Sequence, residues 1–144
     1  MRKLTFVGLV IILISGLIAG GCSSQTSGKP YTFAALSDLP EEVQAAPASV
    51  RQAYQFAVAN PDVLKEIPCY CGCGAMGHTS NYACYIQDDS SEDNLVFDGH
   101  ALGCSICVDI TLDVMDMLDQ DLQLPEIRAE IDTIYSAFGP SNMP

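Results

Sequence analysis

The chain has 144 residues, 49% of them hydrophobic, with six basic residues against eighteen acidic ones and a formal net charge of −12. That length bounds the fold to a single domain, and the acidic balance argues against nucleic acid and anionic lipid headgroups as partners while leaving room for cations or a basic protein. With no phosphate-binding glycine loop, dinucleotide fingerprint or hydrolase constellation, catalysis is not expected.

Met1-Arg2-Lys3 precedes an uncharged apolar run over residues 4–21, the pattern of a secretory signal. Ala19-Gly20-Gly21-Cys22 resembles a lipobox, although the usual Leu three positions before the cysteine is replaced by Ala19. Cleavage before Cys22 and diacylglycerol on its thiol would fix the protein to the outer face of the cell membrane, since two or more acyl chains give stable anchoring. The alternative reading of the same run is an uncleaved transmembrane anchor. Residues 1–21 are thus read as a signal peptide and 22–47 as a tether and irregular lead-in, small and polar at 23–30 and carrying Pro40 and Pro47. Residues 48–140 are read as the functional domain.

Val50, Ala53, Tyr54, Ala57 and Val58 recur at i, i+3, i+4, i+7 and i+8, predicting a helix capped by Ser49 and ended by Asn60-Pro61. A short helix over 61–67 then delivers the chain to Pro68. Between Pro68 and Cys84 fall four of the seven cysteines, His78 and three glycines. Neighbouring thiols in Cys69-x-Cys71-x-Cys73 close disulfides only through small strained rings. A soft cation draws such thiolates together without that obstacle, and Gly72, Gly74 and Gly77 give a loop the freedom to wrap it. Thiolate, imidazole and the thioether of Met76 favour Cu(I), zinc or an iron–sulfur cluster over hard cations. The cysteine spacing departs from the Cys-x2–4-Cys pairs of zinc fingers. Cu(I) is therefore the first choice and zinc the second, with Met76 given little weight because a lone methionine is more often packing. The competing reading is a disulfide-stapled domain, since six cysteines remain after Cys22 in an oxidising compartment.

Beyond the loop, Thr79 or Ser80 can cap a helical turn bearing Cys84. The acidic stretch at 87–94 lacks the glycine and terminal glutamate of an EF-hand and reads as a solvated connection. From His100 or Gly103 to Asp119, helical spacing puts His100, Cys104, Cys107, Thr111, Val114, Met115 and Leu118 on one stripe and Asp109, Asp113, Asp116 and Asp119 on another. His100, Cys104 and Cys107 then share one face near a helix start, which favours thiolate. The same Cys104-x-x-Cys107 pair could serve thiol–disulfide exchange, although no βαβ pattern surrounds it, and His100 could instead be an ordinary buried histidine. The last helix has Pro125 in its first turn and a core stripe of Ile127, Ile131, Ile134, Tyr135 and Phe138, stopped by Gly139-Pro140.

Pro68-Cys69-Tyr70-Cys71-Gly72-Cys73 resembles the motif of the bacterial lipoproteins named PCYCGC after it, and the similarity extends through Gly77-His78, Cys84 and His100 to Cys104-Ser105-Ile106-Cys107. The resemblance implies a secreted, lipid-anchored, cysteine-rich protein and leaves the metal to chemistry. The expectation is an all-α domain of three main helices plus short ones, with the loop packed on the start of the Cys104–Cys107 helix. Cys69, Cys71, Cys73, Cys84, Cys104 and Cys107, with His78 and His100, would then form the metal site. They outnumber the ligands one ion needs, which allows a bridged cluster. Such a site would deliver Cu(I) to a membrane cuproenzyme or copper transporter, or sequester it. The alternatives are a redox protein using Cys104 and Cys107 and a disulfide-stapled structural or interaction domain.

Overall fold

Helix α2 (Ala48–Ala59) is covered on more than the one face its periodicity marks: besides Ala53, Tyr54 and Ala57, Phe56 is fully buried. The covering segment is the lead-in. The computed structural model describes residues 29–87 and 94–144, and within them Tyr31 sets its ring edge-on to Phe56 at 5.1 Å while the Ala34 amide donates to the Gln55 carbonyl at 3.0 Å. Leu39 and Val43, the latter in the one-turn helix α1 (Glu41–Gln44), complete that cover. Residues 31–47 therefore belong to the packed domain and are more than a tether. The expected signal peptide, Cys22 and the centre of the acidic connection lie outside the described residues.

Ser49 does not cap α2, which starts one residue earlier behind Pro47. Asn60 ends it at φ −134°, held off helical geometry by the following proline, and its side-chain amide donates to the Phe56 and Thr32 carbonyls at 2.8 Å. Helix α3 (Pro61–Leu64) is a single turn, shorter than expected, and hands a buried Leu64 and Ile67 to the loop.

The helix expected from His100 or Gly103 to Asp119 is two helices, α4 (His100–Gly103) and α5 (Ser105–Asp119), with Cys104 between them in extended conformation at φ −119°, ψ 102°. That break removes the helical register linking His100 to Cys107. Helix α5 is central, packing on α2 and on α6 (Leu124–Tyr135). It buries Cys107, Ile110, Thr111 and Val114 and exposes Asp109, Asp116 and Asp119. Asp113 is half-buried and accepts from the Tyr135 hydroxyl at 2.7 Å.

A capping box between Gln123 and Glu126 opens α6, with Pro125 in the first turn. Ile127, Ile131 and Tyr135 are buried, but Ile134 is 45% and Phe138 62% exposed, contrary to the core stripe read from spacing. Ile134 falls at the edge of the arc the three buried residues define, and Phe138 lies beyond the helix end. Among the described residues there are six helices, three of them longer than two turns, and no strand, so the domain is all-α. None of these helices is long and apolar enough to cross a membrane.

Candidate metal centre

The loop turns because of two glycines. Gly72 and Gly77, at φ 83° and 93°, flank a 3-10 turn over Cys73–Met76, and a side chain in that left-handed region is strained. A second 3-10 turn, Tyr82–Cys84, slides Cys84 beneath the first. Cys69, Cys84 and Cys107 are fully buried, Cys73 nearly so, and Cys71 half-buried. All six cysteines of the described residues are free thiols.

Three sulfurs form a near-equilateral triangle: Cys69 to Cys71 is 3.5 Å, Cys69 to Cys107 3.5 Å and Cys71 to Cys107 3.6 Å. Cys73 and Cys84 lie 3.7 Å apart, and His100 Nε2 is 3.3 Å from the Cys71 sulfur. A disulfide needs about 2.05 Å, whereas ~2.3 Å metal–sulfur bonds in a tetrahedron put neighbouring sulfurs about 3.8 Å apart. The observed spacing is close to the second. Three groups of ligand atoms lie within 4.8 Å of one another: Cys69, Cys71, Cys73 and Cys84; Cys71, Cys84, His100 and Cys107; and Cys73, His78, Cys84 and His100. Soft sulfur and imidazole donors at this spacing fit a soft or borderline metal ion.

Residues 11–142 match the model of a family described as protein of unknown function with PCYCGC motif. The chain belongs to that family. Comparison with curated proteins and with solved structures gives no match.

The PCYCGC loop is clasped by the C-terminal tail. Asn142 Oδ1 accepts from the Cys69 amide at 2.7 Å, and its own amide donates to the Cys69 carbonyl at 3.1 Å. Its side-chain nitrogen donates to the Ser80 carbonyl at 3.1 Å and lies 3.5 Å from the Cys73 sulfur. The tail reaches this position through Gly139, where a Cβ would sit 2.8 Å from the Tyr70 carbonyl oxygen. On the other side, a buried polar network ties the second turn to α5. The Tyr85 hydroxyl donates to the Cys107 carbonyl at 2.8 Å, Asn81 Nδ2 donates to the same carbonyl at 3.3 Å, and the Thr111 hydroxyl donates to Asn81 Oδ1 at 2.8 Å.

The two histidines are set by Asp98. One carboxylate oxygen accepts the His100 amide at 2.8 Å and the other lies 3.5 Å from His78 Nε2. Asp98 is itself held where the Tyr54 hydroxyl donates to its carbonyl at 2.7 Å and its amide donates to Tyr85 at 2.8 Å, beside an antiparallel bridge between Ile86 and Phe97. The imidazole rings meet edge-on at 5.1 Å, and His78 Nδ1 is buried with no hydrogen-bond partner among the described residues. A carboxylate on one ring nitrogen with the other nitrogen free is the usual outer support of a metal-binding histidine.

Of the eight residues read as ligands, seven come together and Cys104 belongs to none of the three groups. The helix break is the reason. Extended backbone at Cys104 breaks the i, i+4, i+7 register, and Cys104 lines a cavity of about 270 Å³ with Ser49, Leu102 and Asp109 while its thiol keeps a hydrogen bond with Cys107. Within the cluster, hydrogen bonding by Cys107, Cys73 and Cys84 lowers the Cys69 thiol pKa far below its ordinary range. Burial, then the neighbouring Cys69 charge, pushes Cys71 up, and hydrogen bonding with Cys107 and Cys69 pushes Cys84 up. Sequence reading missed Asp98 and Asn142 as supports. Asp98 accepts the amide two residues on, as short acidic side chains do in an Asx turn, and Asp before Gly is a local turn signal, whereas nothing local points to Asn142.

Proposed function

We propose that this protein is a lipid-anchored, extracytoplasmic binder of a soft metal, Cu(I) in the first place, that delivers the ion to a membrane cuproenzyme or copper transporter or sequesters it. The observation that carries the reading is the triangle of Cys69, Cys71 and Cys107 with His100 beside it. Free sulfurs at that spacing suit a thiophilic ion, and the crowding of five of them favours Cu(I) over zinc. The lipobox-like Ala19 to Cys22 supports placement at the outer membrane face, and the acidic surface suits capture of cations. No catalysis is part of this reading. The test is a competition between the reduced full chain in detergent and bathocuproine disulfonate for Cu(I), repeated with zinc against a chromophoric zinc chelator. Retention of Cu(I) against the chelator is expected. Loss of both metals to their chelators, with Cys104-dependent insulin reduction, would replace this reading with the redox one.

A further inference from the structure

We propose that the centre holds two ions, bridged by the sulfur of Cys84. This deepens the metal reading and rests on it. Cys84 is the residue common to all three ligand groups. The groups, with the 3.5 Å Cys69–Cys107 separation, place Cys69, Cys71, Cys84 and Cys107 mutually within 4.8 Å. They do the same for Cys73, His78, Cys84 and His100. These two sets share only Cys84. Together they use every clustered donor, so the arrangement is two four-ligand positions joined at one corner.

One ion would leave half of this unexplained. Placed on the sulfur triangle and Cys84, it satisfies a four-coordinate shell and leaves His78 Nδ1 buried without a partner. That nitrogen is held in place from the far side of the ring by Asp98, which is the support a metal-bound imidazole receives. A second ion against Cys73, His78 and His100 satisfies it. A thiolate has lone pairs for two soft ions, and Cys84, fully buried at the shared corner, is the sulfur placed to use them. Each thiol that binds releases its proton to solvent, so loading is accompanied by acidification.

The two positions differ in access. Two sulfurs of the triangle, Cys69 and Cys107, are fully buried and Cys71 is half-buried, whereas His78 and Asp98 line a cavity of about 270 Å³ with Met76, Gly77, Ala83 and Gln87. The histidine-side ion is therefore the one that exchanges first.

The experiment titrates the full chain, anaerobic, reduced and in detergent, with Cu(I) supplied as its acetonitrile complex. Native mass spectrometry gives the count and X-ray absorption at the copper edge gives the neighbours. The wild type is expected to take up two ions and to show a metal–metal scattering vector. Cys84→Ser should lose that vector and hold one ion. His78→Ala, milder for folding, should keep the first ion and weaken the second by about 10–100-fold, with unchanged circular dichroism. Saturation of the wild type at one ion, or two ions retained with the vector intact in Cys84→Ser, would overturn the bridge while leaving soft-metal binding standing. No retained copper at all would instead remove the functional reading beneath it.

Discussion

Cys69 and Cys107 are fully buried with their sulfurs 3.5 Å apart, while His78 and His100 are partly exposed and His78 lines an open cavity. The sulfur side is positioned by elements that are themselves core: α5, the polar network beneath it and the tail strap at Asn142. The histidine side is positioned by one carboxylate, Asp98, hung from Tyr54 and the Tyr85 backbone. On the proposed reading, folding and metal capture would be entangled on one side and separable on the other. Substitutions at the sulfurs disturb both, whereas substitutions around Asp98 reach the ion with little cost to the fold.

The largest expected effect is at Cys107. Cys107→Ser removes a corner of the triangle and should weaken Cu(I) binding by more than the roughly 100-fold that loss of an outer support costs, measured by chelator competition, with a lowered denaturation midpoint in the metal-loaded chain. Asp98→Asn comes next. It should weaken the histidine-side ion by about 10–100-fold and leave metal-free stability nearly unchanged; an equal loss at both positions would erase the contrast. Asn142→Ala should do the opposite, costing ~1–3 kcal/mol of metal-free stability by urea unfolding through the unpaired Cys69 amide, with a smaller effect on affinity. Cys104→Ser should be the mildest. Its stability should stay within about 0.5 kcal/mol of wild type and its copper count should not change; loss of an ion would bring Cys104 back into the centre.

Much of this was legible in the sequence where the signal is local. The α2 periodicity, the Pro125 helix start and the Gly/Cys loop each announce themselves within a dozen residues, and Gly72 and Gly77 take the positive φ the loop reading asked of glycine. Gly74 does not, and sits instead against Asn142, where a Cβ would meet the Asn142 Cβ at 3.3 Å. Cys104 falls outside the three ligand groups because i, i+4, i+7 spacing assumes an unbroken helix, and no proline marks the extended residue that interrupts it. Asn142 and the Tyr31–Phe56 contact were out of reach for another reason. They join segments 73 and 25 residues apart in the chain, and pairing at that separation leaves no periodic trace. The exposure of Phe138 follows likewise from where α6 stops.

The most direct test of the central claim is native mass spectrometry, with elemental analysis, of the full chain isolated anaerobically from copper-supplemented cells. The account predicts a folded species carrying stoichiometric soft metal with its clustered thiols reduced. A metal-free species lighter by two hydrogens for each disulfide, with Cys69, Cys71, Cys73, Cys84, Cys104 and Cys107 paired in bridges, would contradict it.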